Sequence, residues 1–160
     1  MNRKAILIGI NHTLLMFGAT VYTGVLWALH YFWYPSWDLM NVDNVQDHFI
    51  LPTSAATRFF LIIVPIMFLT SLIMIWQEWR TKFRWHAIIG FLGVSGATLV
   101  GWFLIIPVNK TIAAGVDQAT LTELLEKWMF LNDVRWTIVN IMWLALVIYL
   151  LMRPSIADES

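Results

Sequence analysis

Four stretches carry no formal charge at all: residues 5–37, 59–77, 85–109 and 136–152. In a lipid bilayer no water is available to satisfy backbone polar groups, so an uncharged segment that crosses it must bond internally as a helix or join a closed barrel. A spanning helix needs about 20 mostly apolar residues to cover a hydrocarbon core of about 30 Å. The first and third stretches exceed that length and the second roughly meets it. The fourth has 17 residues, about 26 Å at helical rise, so Arg135 either snorkels to the interface or sits inside the bundle with a partner. The chain therefore reads as one transmembrane domain over residues 1–160, with crossings at about 8–34, 56–77, 85–107 and 131–152. Its expected fold class is an all-α, integral membrane four-helix bundle.

Composition agrees with that constraint and removes several function classes. Hydrophobic residues make up 59% and charged residues 12%, against roughly 45–50% and 25% in soluble domains. Ten acids balance ten bases, so there is no basic surplus for neutralising nucleic-acid phosphates. The absence of cysteine excludes disulfides, thiolate metal sites and cysteine nucleophiles.

Arg3 and Lys4 ahead of an apolar run resemble a signal peptide. The run is too long for that, and no A-x-A site follows, so it reads as a retained first crossing. Arg3, Lys4, Arg80, Lys82, Arg84 and Arg153 share one side, against Arg58, Lys110, Lys127 and Arg135 on the other. By the positive-inside rule both termini are expected in the cytoplasm, with a bacterial inner membrane as the host. The opposite side carries seven acids in longer connections. Within them, residues 120–131 predict a short extra amphipathic helix before the last crossing, capped by Thr120 with Glu123 completing a capping box.

Gly93, Ala97 and Gly101, with Gly90 and Gly96 nearby, form a small-residue stripe suited to close helix packing. On the first crossing Thr20, Thr23, Gly24, Trp27 and His30 lie near one face, expected to point inward. Most of the ten tryptophans, Trp33, Trp37, Trp76, Trp79, Trp85, Trp102 and Trp128 among them, fall at predicted membrane boundaries and read as interfacial anchors. Trp27 and Trp143 lie deeper and are candidates for lining a pocket.

Polar residues gather at the outer ends of the helices: His30, His48, Arg58, Asn109 after Pro107-Val108, and Trp128, Asn132 and Arg135 along one face with Asp133 beside them. Arg58 and Arg135 are expected to form a cationic floor beneath an outward-opening pocket, with Asp47, Asp133 and the amides as candidate partners. The bland alternative is that each arginine is a snorkelling anchor and that Asn132 and Asp133 cap the last helix. No cofactor is expected. His12 and His86 lie at the inner boundary and His30 and His48 at the outer one, so the four cannot combine. A metal held by His30 and His48 with Asp47 is the one alternative, without a recognised spacing. Nucleotide-binding glycine loops and a nucleophile motif are absent. Paired broken helices and a buried carboxylate relay, the marks of a transporter, are absent too.

The order of these elements resembles a known family. Gly18 to Gly24 leads through an aromatic run to Tyr34-Pro35, followed by Gln46 and Ile50. Thr98 precedes Pro107-Val108-Asn109, and Trp128-x3-Asn132-x2-Arg135 opens the last crossing. Together, over nearly the whole chain, they are similar to the anthrone oxygenase-like family of small four-helix membrane proteins. A few of that family's members oxidise anthrones with molecular oxygen, without metal or flavin; most have no known activity. The resemblance implies Asn109, Trp128, Asn132 and Arg135 as functional residues. His30 and the aromatic run at 31–37 are not expected of every member, so the substrate does not transfer.

Two functions follow as expectations. One is a pocket for a flat lipophilic molecule, worked as an oxygenase or oxidoreductase. Arg135 and Arg58 would stabilise an enolate or phenolate, His30 or His48 would act as base, and Asn109 and Asn132 would orient the substrate oxygen beside Trp128 and Trp27. The other is a non-enzymatic accessory subunit that docks by its Trp- and Gly-rich faces on a larger membrane complex or a second copy and binds lipid or pigment. Membrane lipid and a lipophilic small molecule are the partners expected, and nucleic acid is not.

Overall fold

The structure, a computed structural model, describes residues 3–153, without the side chain of Lys4. Helix α1 (Arg3–Ala28) runs into a π turn (Leu29–Trp33) and a 3-10 turn (Tyr34–Leu39). A second π turn (Gln46–Ile50) leads into α2 (Leu51–Glu78). Helix α3 (Arg84–Leu99) passes through a third π turn (Val100–Ile105) into α4 (Ile106–Ala113), and α5 covers Gln118–Met152. Taken through these turns, four helices are long and apolar enough to cross a membrane: Ala5–Leu39, Gln46–Glu78, Arg84–Ala113 and Gln118–Met152. The protein is an all-α four-helix bundle of membrane type, a multi-pass integral membrane protein.

A proline follows each π turn within two residues: Pro35, Pro52 and Pro107. Proline lacks an N–H and its ring crowds the carbonyl four residues back. A preceding turn widened to the π spacing accommodates both faults without ending the helix. This is why the third crossing, expected to stop near 107, continues to Ala113. It ends only where Gly115 takes φ +89°, a conformation that favours glycine at a helix C-terminus.

The amphipathic stretch at 120–131 is helical, but it forms the first turns of α5 and not a separate element. No glycine or proline interrupts residues 118–152, so nothing divides the helix. Its cap is Asp117, not Thr120: the Asp117 carboxylate accepts the Thr120 backbone N–H at 2.9 Å and the Thr120 hydroxyl at 3.0 Å. Those bonds hold the Asp117 carboxyl below its ordinary range.

The small-residue stripe packs α3 on α5. A methyl added at Gly93 would stand 2.5 Å from Met142 Cβ, whereas one at Gly96 would meet Ile138 at an ordinary 3.6 Å. Gly93→Ala is therefore expected to lower stability by about 1–3 kcal/mol, the usual cost of overpacking. Gly96→Ala is expected to be neutral or slightly stabilising, because alanine is the better helix former. Thermal unfolding of both variants in mild detergent checks the pair, and equal losses would contradict this packing.

The inward face of α1 differs from expectation. Leu15, Ala19, Tyr22, Leu26 and Leu29 fill the core, while Thr20, Gly24 and Trp27 are exposed. The polar groups find partners along the seam with α5 instead. Trp143 Nε1 donates to Thr20 Oγ1 (3.1 Å), Trp27 Nε1 donates to Asn140 Oδ1 (2.9 Å), and His30 Nδ1 pairs with Asp133 Oδ1 (3.1 Å). Thr23 is buried and bonds its own helix at Ala19 O. Once bonded across the seam, these groups have no need of the core.

The end of the bundle where α1 begins and α5 ends is closed by a polar network. Glu78, 1% exposed, accepts from Tyr149 Oη (2.7 Å) and Thr81 Oγ1 (2.6 Å) and pairs with Arg153 Nη2 (3.1 Å). Arg153 Nη1 also donates to Tyr149 Oη (2.7 Å) and reaches His12 Nδ1 (3.3 Å). Arginine only donates, so His12 Nδ1 accepts and the ring proton sits on Nε2, 3.1 Å from Gln77 Oε1.

Candidate functional site

Between α1, α2, α3, α4 and α5 lies a cavity of about 640 Å³, within the range of about 300–1,000 Å³ usual for small-molecule sites. Its walls are mostly aliphatic and aromatic, and its polar side chains cluster. Asn109, Trp128, Asn132 and Arg135 all line it, as does Tyr22, which sequence reasoning did not single out. The four residues implied by the resemblance thus share one cavity.

Arg135 is the cavity's cation. Its Nη1 donates to Asn132 Oδ1 at 2.8 Å and its Nη2 to Tyr22 Oη at 2.5 Å. The guanidinium carbon lies 5.4 Å from the centre of the Tyr22 ring and 6.0 Å from that of Phe60, within cation–π range. Its Nε is buried without a hydrogen-bond partner. Among the described residues the ion pairs are His30–Asp133 and Glu78–Arg153, so no carboxylate compensates Arg135. Gly101 lies beside the group, where a Cβ would meet Arg135 Cζ at an ordinary 3.8 Å.

Asn132 is held from behind, its Nδ2 donating to Trp128 O at 3.0 Å. Asn109 Oδ1 accepts Trp128 Nε1 at 2.6 Å, which fixes the indole against α4. Trp128→Phe removes this bond and is expected to cost about 1 kcal/mol, with Asn109 left partly unsatisfied. Loss of stability in Trp128→Phe that Asn109→Leu does not add to checks the coupling.

The expected cationic floor is corrected. Arg58 is exposed and does not line the cavity, because α2 turns it away from the face bearing Thr57, Phe60 and Leu61. His30 lies outside the cavity and pairs with Asp133, stacked at 5.8 Å on Trp136. His48 and Asp47 are exposed, so Asp47 and Asp133 are not partners of the arginine. Trp27 belongs to the α1–α5 seam through Asn140, as Trp143 does through Thr20, and neither lines the pocket. His30, His48 and Asp47 do not come together: no group of three or more possible metal ligands exists among the described residues.

Buried aromatic rings pack at the loop end of the cavity, where an outward opening was expected. Trp37, Phe49 and Trp128, all buried, pack with ring centres 5.1–5.4 Å apart. Trp37 and Trp128 are thus a plug and not interfacial anchors, and Tyr34 extends the cluster. Trp76, Trp79, Trp85 and Trp102 are exposed, as an interfacial or lipid-facing role requires. No family model, curated protein or solved structure matches the chain.

Proposed function

We propose that the protein holds a lipophilic molecule in this cavity, the oxygen of a phenol, enol or quinone-like head at Arg135 and an apolar body among Leu29, Phe60, Val64 and Ala97. One observation carries this reading: Arg135 is a cation inside an apolar cavity whose hydrogen-bond partners, Tyr22 and Asn132, are both neutral. An arginine within a membrane domain is costly, and its charge normally finds a partner. An anionic ligand oxygen is the partner that completes this one.

The test is equilibrium binding of a fluorescent naphthol to the full chain in nanodiscs. Arg135→Met is expected to weaken binding about 10–100-fold, the worth of a charge-assisted hydrogen bond. Arg58→Met and His48→Ala are expected to bind as wild type. Undiminished binding by Arg135→Met removes the reading.

Oxygenation is a second reading, favoured by the Arg135 guanidinium with the Tyr22 hydroxyl beside it, donors that suit an enolate oxygen. No histidine lines the cavity to act as base, so binding is the function that the geometry supports best. Oxygen uptake on adding an anthrone, abolished in Arg135→Met, is the result this second reading requires. The accessory-subunit reading predicts that the chain always co-purifies with larger subunits and holds no small molecule of its own.

The same proposal includes orientation in a bacterial inner membrane. With Arg135 inside the bundle, the basic residues stand six on the terminal side against three on the other, a bias that supports cytoplasmic termini. The chain has no cysteine, so Ser36→Cys and Lys82→Cys can be labelled cleanly. An impermeant thiol reagent applied from outside intact cells is expected to label the first and spare the second.

A further inference from the structure

The cavity is far longer than a flat head group requires. On α2 its lining runs from Thr53 to Leu72, about 28 Å at 1.5 Å per residue, close to the full hydrocarbon thickness of about 30 Å. Its polar groups are not spread along that length. Beyond Phe60 the α2 wall is Leu61, Val64, Pro65, Phe68, Leu69 and Leu72, without a single hydrogen-bonding side chain.

The two ends also differ in access. At the polar end the buried rings of Trp37, Phe49 and Trp128 close the bundle. Along the side, the lining residues Leu61, Leu69 and Leu72 of α2 and Trp102 of the third crossing are 50–60% exposed. Both helices are irregular where they flank this opening. Pro65 lies inside α2 and the π turn Val100–Ile105 interrupts the third crossing. A helix-interior proline removes a backbone bond and bends its helix, and a π turn does the same by register.

We infer that the ligand is a chain-bearing amphiphile drawn from the bilayer, which passes sideways between α2 and the third crossing. Its oxygen head lies at Arg135 and its single acyl, alkyl or prenyl chain lies along α2 toward Leu72. The inference rests on the Arg135 reading and adds the tail and the route. A lipid already dissolved in the membrane meets this opening directly, whereas a solute from water meets the aromatic plug. The chain leaves one apolar medium for another, so it contributes little to affinity by hydrophobic transfer. What it contributes is fit to a groove of matching length.

The experiment uses the full chain in nanodiscs and two probes: an alkylphenol with a photoreactive diazirine near the far end of a long saturated chain, and a chainless phenol as competitor. The expected result is crosslinking concentrated on residues 65–72, suppressed by the chainless phenol and lost in Arg135→Met. Leu69→Trp, which fills the lipid-facing gap without touching the core, is expected to weaken the alkylphenol about tenfold while leaving the chainless phenol unchanged. Crosslinks at residues 36–55, or spread evenly over lipid-facing positions such as Phe17 and Leu144, overturn the inference. The Arg135 reading survives that outcome if the chainless phenol still binds in an Arg135-dependent way. If neither probe depends on Arg135, both fall.

Discussion

Glu78→Ala is expected to destabilise the protein by about 3–5 kcal/mol, the range found when one partner of a buried ion pair is removed. The size follows from what the carboxylate holds. It is the shared acceptor for Tyr149 from α5, for Arg153 just past the end of α5 and for Thr81 just past its own helix, and Tyr149 and Arg153 in turn reach His12 on α1. Removing it leaves a guanidinium only 17% exposed with no anion and a buried phenol with one partner fewer. Unfolding temperature in mild detergent measures the loss. Glu78→Gln keeps an acceptor and is expected to lose less. The double variant Glu78→Leu with Arg153→Met removes both charges and is expected to cost less than Glu78→Ala alone, since an apolar pair of similar volume replaces a buried ion pair at little net cost. A double variant as damaged as the sum of its parts would show that the two residues act separately.

That network was the least legible part of the molecule in its sequence. Glu78 follows an apolar run and precedes Trp79-Arg80, which reads as the start of a solvated loop. The useful signals were Tyr149 and Arg153 four residues apart on one helix face, and His12 at the same depth on another helix. Depth alone does not say which faces meet. The crossings themselves were legible because exclusion of charge from lipid is a property of each segment separately. Of the polar cluster, Asn109, Trp128, Asn132 and Arg135 were legible, three of them through helical spacing on one helix. Arg58 and His48 sit at similar depth but on other faces, and depth was all that joined them to the site; Trp27 and His30 were joined to it by a shared face of the first crossing, which runs along α5 instead. Tyr22 was missed because a tyrosine in an apolar run reads as core, which it also is. The helix continuing through Pro107 was missed because the π turn that permits it has no signature other than the proline itself.

Arg135→Met is expected to behave in the opposite manner to Glu78→Ala: ligand-free stability stays within about 1 kcal/mol of wild type, and stabilisation by ligand falls from about 2.7 kcal/mol to about 0.4–1.4 kcal/mol. Two terms set the first result. Removing an arginine from the outer part of a membrane helix relieves at most the roughly 2.5–3.5 kcal/mol that insertion scales assign at the bilayer centre. Against it, Asn132 Oδ1 and Tyr22 Oη each lose a donor, at about 1–3 kcal/mol for each buried group left unsatisfied. The two are of similar size, and the buried Nε without a partner adds to what the substitution relieves. The second result follows from linkage. A ligand at 100 times its dissociation constant stabilises the folded state by about 2.7 kcal/mol, and the same concentration stabilises Arg135→Met far less once binding weakens 10–100-fold. Unfolding curves with and without a saturating naphthol measure both quantities in one experiment. A charge that serves the fold lowers the ligand-free curve when removed, and Glu78 is of that kind. If Arg135→Met lowered that curve by 3 kcal/mol or more while the ligand-induced shift persisted, Arg135 would belong with Glu78 as a structural charge. An unchanged ligand-free curve and a shift cut to half or less mark a cation whose counter-charge arrives with the ligand.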